Sequence, residues 1–124
     1  MTKDARELGE VGERIAEQWL RGRGWEVLAR RFRNGHRDLD LIVRRDDLVA
    51  FVEVKARRSS TFGEPVEAVN WRKQRELSRS ARVWIDRFGQ AGSAYRFDVV
   101  GVLIAGGRAA VQHVENAFDF RTGS

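Results

Sequence analysis

Residues 37–55 read RDLDLIVRRDDLVAFVEVK, and this stretch decides the fold. Two runs rich in β-branched and aliphatic residues, Asp38–Arg44 and Leu48–Lys55, flank a polar tripeptide, Arg45-Asp46-Asp47, so the segment reads as two strands joined by a tight turn. Side chains alternate across a strand, which puts Leu39, Leu41 and Val43 on one face of the first run and Val52 and Val54 on one face of the second. The other face carries Asp38, Asp40, Glu53 and Lys55, along with Ile42 and Phe51. A turn that pairs residue 44 with residue 47 sets Glu53 opposite Asp38 and diagonal to Asp40. Four ionisable side chains then converge at one end of an otherwise apolar hairpin.

Outward from the hairpin, Trp25–Arg33 reads as a preceding strand, ended by the Asn34-Gly35 turn signal, which makes a three-stranded antiparallel meander. Before it, Leu8, Val11, Ile15 and Trp19 recur at helical spacing, with Gly12, Ala16 and Leu20 widening the stripe, so a helix is expected from Ala5 to Gly22. Glu13 lies at the margin of that stripe, beside Leu20. After the hairpin comes a loop (57–64), a short helical turn over Val66–Val69, and a second long helix from Trp71 to Phe88, capped by Asn70 and stopped by Gly89. Tyr95–Ile104 and Ala109–Val114 are the last strands, joined at Gly106-Gly107, with a frayed end at 121–124. The order α-β-β-β-α-β-β describes one α/β domain over residues 1–124, a mixed sheet with flanking helices.

At 124 residues and 14.2 kDa, one core suffices without covalent staples. The absence of cysteine excludes thiol nucleophiles, thiolate zinc sites and disulfides. The longest apolar run, Val99–Ala105, falls far short of the roughly 20 residues of a membrane helix, and no signal peptide is evident, so a cytoplasmic protein with no membrane partner is expected. Lys and Arg outnumber Asp and Glu by 23 to 18, and the pI is near 10.6. That excess suits a polyanionic partner, since neutralised phosphates release condensed counterions, although genomic base bias also enriches arginine. No glycine-rich phosphate loop follows a strand, so ATP or dinucleotide binding is not expected.

The constellation Asp40-(12 residues)-Glu53-x-Lys55 has two readings. An E-x-K pair on a strand is commonly a cross-strand salt bridge. Alternatively, two carboxylates on adjacent strands hold Mg²⁺ or Mn²⁺, the Val54 carbonyl supplies a further oxygen, and Lys55 orients or deprotonates a water or neutralises charge on a phosphate. Arg57 and Arg58 leave the site strand at its charged end, and Arg72, Lys73, Arg75 and Arg79 give the second helix a basic face; both sets are candidate phosphate contacts, or simply solvated surface. Trp71 is placed to pack or to stack on an unpaired base. His36 reads as a turn residue and His113 as a packing or surface residue, with general-base chemistry at His36 the sharper alternative. Asp98, in an apolar strand, is expected to support Arg96 or the surroundings of the site and is given no ligand role.

An ordered set of motifs adds a resemblance. Leu8-Gly9, Gly12-Glu13-Arg14-Ile15-Ala16, Leu20, Arg33, Arg37-Asp38-Leu39-Asp40-Leu41-Ile42, Phe51-Val52-Glu53-Val54-Lys55, Arg57 and Phe62-Gly63 lead on to Lys73, Arg96-Phe97-Asp98-Val99 and Asn116-Ala117-Phe118. Over residues 8 to 120 the chain resembles the uncharacterised bacterial family UPF0102, also called the YraN family. That family is placed in the restriction-endonuclease-like fold of the PD-(D/E)xK nucleases and is similar to archaeal Holliday-junction resolvases. The resemblance implies a metal site at Asp40, Glu53 and the Val54 carbonyl, with Lys55 as catalytic lysine and Glu13 as the first-helix carboxylate that assists. Where the family has Gly-Glu-Ile-Asp-Leu, this chain has Arg37-Asp38-Leu39-Asp40-Leu41, so a supporting role for Asp38 must work with one methylene less.

The function expected is a Mg²⁺- or Mn²⁺-dependent endonuclease acting on DNA, branched or otherwise structured, with RNA also open as a partner and a homodimer suited to symmetric cleavage of a junction. The alternative is a non-catalytic nucleic-acid-binding module of DNA or RNA metabolism. An interaction protein whose hairpin carboxylates form ordinary salt bridges is a third reading. Fold alone does not choose among them.

Overall fold

In the computed structural model, residues 2–35, 37–58 and 64–121 are described, without the Arg37 side chain. His36, the Phe62-Gly63 pair and the end at 122–124 lie outside the described residues. Helix α1 (Lys3–Arg21) is followed by strands β1 (Glu26–Asn34), β2 (Arg37–Arg45) and β3 (Leu48–Arg57), a 3-10 turn (Pro65–Ala68), helix α2 (Trp71–Phe88) and strands β4 (Ala94–Ala105) and β5 (Arg108–Phe118). The five strands lie side by side in chain order. Neighbours run antiparallel except β3 and β4, which are parallel because α2 carries the chain back across the sheet. This is the mixed α/β sheet and the α-β-β-β-α-β-β order expected.

Alternation along the strands supplies two cores. Ile42, Val49, Phe51, Phe97 and Val99 face α2, where they meet Leu77, Ala81 and Trp84. Leu41, Val43, Ala50, Val52, Val100 and Val102 face α1 and Trp25. Each fully buried aliphatic or aromatic side chain contributes roughly 1.5–3 kcal/mol by leaving water. Along α1 the fully buried row is Gly12, Ala16 and Leu20, spaced by four, while Ile15 and Trp19 are only partly covered. The buried row therefore runs through the residues expected only to widen the stripe. Helix α2 has the expected bounds, and the Asn70 side chain accepts from the Lys73 N–H at its start.

Three expectations are corrected. The hairpin turn is the two-residue Asp46-Asp47, with Asp46 at φ +54°, so Arg45 pairs with Leu48 and Leu41 with Val52. The register is offset by two from the 44–47 pairing, and its continuation sets Glu53 across from Asp40, not Asp38. Leu39 packs with the α2-side core instead of sharing a face with Leu41 and Val43, because β2 twists away from β3 beyond Leu41 while staying paired with β1. Arg121, expected to start a frayed end, is tied down: its N–H donates to Ser78 Oγ and its carbonyl accepts from Arg82.

Candidate functional site

The ladder between β2 and β3 ends at Leu41–Val52, and the strands part beyond it like the arms of a fork. Val54, two residues past the last pair, stays paired with Val100 of β4 but has no partner on the β2 side. The Asp40 carboxylate takes that place, accepting the Val54 N–H at 2.8 Å through Oδ2. In an extended strand a residue's N–H and C=O face the same neighbour, so the Val54 carbonyl is directed to the β2 side as well. The fork opens into a depression of about 260 Å³.

Helix α1 contributes Glu13 to that depression, β2 contributes Asp38 and Asp40, β3 contributes Glu53, Val54 and Lys55, and α2 contributes Lys73 and Leu77. Asp40, Glu53, Val54, Lys55, Glu13 and Asp38, the residues proposed from sequence for catalysis, metal binding and support, are thus neighbours in space. Close approach of α1 brings Glu13 there, since Gly12 lies against Ala56 of β3 with no room for a Cβ. The Arg31 guanidinium holds Glu13 at 3.0 Å, from a β1 residue in the left-handed region (φ +48°). Arg33 holds Asp38 at 3.3 Å.

The two central acids differ from these outer ones. Glu53 is 6% exposed, and its charged partner is the Lys73 ammonium from α2. Asp40 accepts a backbone N–H, and among the described residues no ion pair is recorded for it. Burial, first, and then the adjacent Glu53 charge and hydrogen bond push its carboxyl up to about 9, against the smaller lowering effect of the Val54 N–H. That shift favours the protonated form of the Asp40 carboxyl.

That donor set fits a hard divalent cation. Two carboxylates and a backbone carbonyl are oxygen ligands, and a carboxyl such as Asp40, whose charge burial and a neighbouring acid disfavour, gains most from added positive charge. Among the described residues no three His, Asp or Glu side chains form a ligand cluster. An ion here would complete its shell with water and a phosphate, as Mg²⁺ commonly does.

The basic residues separate into groups. Lys73, expected on the outer face of α2, turns inward to Glu53. Arg58 pairs with Asp4 at 3.2 Å and Arg72 with Glu76 at 3.7 Å, both exposed. Arg79 is exposed on α2, and Arg75 is half-buried. Arg57 continues the β3 edge into a second groove that shares Lys55 with the fork. Trp71 is 57% exposed, with the Arg121 guanidinium 4.3 Å above its ring.

Asp98 and His113 are placed on the opposite face of the sheet. Asp98 is fully buried and accepts from Arg96 (2.8 and 3.0 Å) and from the Asn116 N–H (3.0 Å), and it is hydrogen-bonded to His113 Nε2 at 2.7 Å. Burial would raise its pKa; the bonds from His113, Arg96 and Asn116 and the Arg96 charge outweigh that and hold it below the ordinary value. The network is closed and does not reach the fork. It supports Arg96, one of the two expectations for Asp98, and fixes His113 in a packing role.

The family described as "Uncharacterised protein family UPF0102" matches residues 12–102. The chain belongs to family UPF0102. A UPF0102 protein of Syntrophomonas wolfei is 42% identical over 113 residues, covering 91% of this chain and 98% of its own. One from Alkaliphilus metalliredigens is 41% identical over 114 residues, 92% of this chain and 99% of the relative. Another from Myxococcus xanthus is 39% identical over 116 residues, 94% and 92% of the two chains. The span matched to UPF0102 contains every residue of the fork, from Glu13 to Leu77. Among the described residues, no helix is long and apolar enough to cross a membrane.

Sequence reasoning missed the role of Lys73. A signal was present. Lys73 stands in the first turn of α2, where the helix dipole favours acids and disfavours cations, and that turn holds no acid.

Proposed function

We propose that this UPF0102 chain is a divalent-metal-dependent phosphodiesterase that cuts DNA, with branched or otherwise structured DNA as the preferred class and the cytoplasm as its setting. The observation that carries this reading is the fork, where Asp40, Glu53, the Val54 carbonyl and Lys55 face one small depression. Asp40, Glu53 and the Val54 carbonyl would hold Mg²⁺ or Mn²⁺. The chemistry such an ion supplies when bound is polarisation of the phosphodiester and acidification of a water.

The chain's own groups do the rest. Lys55 orients the attacking water or, as a cation, offsets charge that builds on the phosphate oxygens. Glu13, at the rim, accepts a proton or a hydrogen bond from that water. Asp38, held by Arg33, sets the acidic wall opposite. Arg57 and Arg79 extend positive potential away from the fork, and Trp71 offers a flat exposed ring for an unpaired base. The chain's net charge of +5 favours encounter with the polyanion.

The test is a cleavage screen with Mn²⁺ over duplex, single-stranded, flap and four-way-junction DNA, comparing native protein with Glu53→Ala and Lys55→Ala. Loss of about 100-fold or more in both variants is expected. Equal cleavage by all three proteins would refute the assignment. DNA binding that survives Glu53→Ala in EDTA, with no cleavage by the native chain, would support a non-catalytic nucleic-acid-binding module instead.

A further inference from the structure

Lys73 adds something to the fork that the resemblance does not assign. It is the third residue of α2, its backbone N–H is taken by the Asn70 cap, and its side chain extends inward to the Glu53 carboxylate. The Lys73 side chain is 26% exposed and that of Glu53 is 6% exposed, so the pair stands at the mouth of the depression with the acid beneath. The other acids at the site are engaged elsewhere: Glu13 with Arg31, Asp38 with Arg33, and Asp40 with the Val54 N–H. Lys73 is therefore the chain's own positive charge on the proposed metal-binding carboxylates.

We propose that Lys73 is a tethered counter-cation: it neutralises Glu53 while the metal is absent, and a divalent cation displaces it toward solvent, where its ammonium becomes a phosphate contact. The inference rests on the reading of Asp40 and Glu53 as metal ligands. Three observations lead to it. The ammonium pairs with a proposed ligand and so occupies the approach an external cation must use. A second positive charge brought beside the ammonium is repelled in a poorly solvated site. The first turn of α2 disfavours cations by its dipole and offers Lys73 no acid of its own, so the pairing with Glu53 is what compensates its position, and loss of that pairing frees the side chain. Arg72, its neighbour, is 80% exposed, and the released Lys73 would join it on one surface.

Two measurements test this on the 124-residue chain. The lysines are Lys3, Lys55 and Lys73, so acylation by a small amine-reactive ester, mapped by mass spectrometry, reads each separately. Saturating Mg²⁺ is expected to raise Lys73 labelling several-fold against Lys3, and Glu53→Gln to raise it without metal. Mn²⁺ affinity, followed by the loss of the free-ion signal in electron paramagnetic resonance, is expected to increase about tenfold in Lys73→Met, which keeps the side chain's length and removes its charge. Native protein that binds Mn²⁺ while Lys73 labelling stays constant or falls would overturn the proposal and leave the metal site standing. Equal or weaker Mn²⁺ binding by a folded Lys73→Met would do the same. Failure of native protein and Lys73→Met alike to bind Mn²⁺ would remove the metal site itself, and this inference with it.

Discussion

Gly12→Ala tests how the fork is assembled. An alanine at this point of α1 would set its Cβ 2.5 Å from the Ala56 Cβ and 3.9 Å from Val54 Cγ1. Carbon atoms pack at about 3.5–4.0 Å, so the helix must lift from β3 by roughly 1 Å. Ala56 has no torsion that could move its methyl aside. Overpacking of this kind costs about 1–3 kcal/mol, against a gain of about 1 kcal/mol from replacing a helical glycine by alanine. The net expectation is destabilisation of up to about 2 kcal/mol, which at roughly 4 °C per kcal/mol lowers the thermal midpoint by up to about 8 °C. Gly9 is the internal control. It lies in the same helix with nothing within 4 Å of an added Cβ, so Gly9→Ala keeps the propensity gain. Adding Ala56→Gly to Gly12→Ala removes the opposing methyl, and the two changes should couple favourably by about 0.5–3 kcal/mol. Urea and thermal unfolding of five proteins, native, Gly9→Ala, Gly12→Ala, Ala56→Gly and the double variant, supply the numbers. If Gly12→Ala stabilises as much as Gly9→Ala, the close approach of α1 to β3 is wrong, and the placement of Glu13 at the fork loses its support.

Three further outcomes follow from Asp40 and Asp98. In EDTA, Asp40 retains a proton that the unfolded chain loses near pH 4, so its share of stability is complete below that pH and declines as pH rises toward about 9. The slope is at most about 1.4 kcal/mol per pH unit, and Asp40→Asn should flatten it in unfolding curves taken at several pH values. Asp98 has the opposite sign: its carboxyl is held low, so its contribution is full above the unfolded value near 4 and is lost as the solution becomes more acidic. Asp98→Asn, which leaves Arg96 and His113 without their anion, should cost about 3–5 kcal/mol at pH 7 and lessen the steepness of acid unfolding. Asp40→Ala is expected to lose about 1–3 kcal/mol that Asp40→Asn does not, because the amide oxygen still accepts the Val54 N–H and a methyl cannot; equal stability of the two variants would contradict that hydrogen bond.

Much of the frame was legible because local chemistry and tertiary structure agree. Asn70 and Gly89 bound α2, and the apolar periodicity of Leu77, Ala81 and Trp84 marks the face that packs. The parts that were not legible depend on a choice that local sequence leaves open. Arg45-Asp46-Asp47 is compatible with more than one hairpin closure, and the left-handed Asp46 selects the one that moves Glu53 opposite Asp40. Where β2 leaves β3 is likewise decided by β1, which keeps Phe32 with Leu39 and Arg33 with Asp38 after the β3 ladder has stopped. The inward turn of Lys73 agrees with helical periodicity, since it stands four residues before Leu77 on the packing face of α2 while Arg72 lies off it; its partner, a carboxylate twenty residues earlier, is what local sequence does not reveal. The proximity of Asp40, Glu53 and Lys55 holds under either pairing, because alternation puts them on one side of their strands in both.

Asp40 and Asp98 show how one structural device leads to two chemical outcomes. Each carboxylate accepts a strand N–H where regular pairing breaks, Asp40 from Val54 at the fork and Asp98 from Asn116 at the irregularity between β4 and β5. Around Asp98 the chain brings Arg96 and His113 to the same group, so the charged form is favoured in spite of complete burial. Around Asp40 the chain brings a second acid, and the nearest lysine of α2 goes to that acid instead. The first arrangement is electrically complete and has nothing to offer a ligand. The second gives Glu53 a lysine but leaves Asp40 with no cationic partner among the described residues, at a point where oxygen donors already converge and solvent can enter. A stable fold has no need to leave two carboxyl groups so arranged, since an apolar pair of similar volume would cost less desolvation. The deficit is accounted for if the missing charge arrives from outside as a divalent cation together with the phosphate it binds.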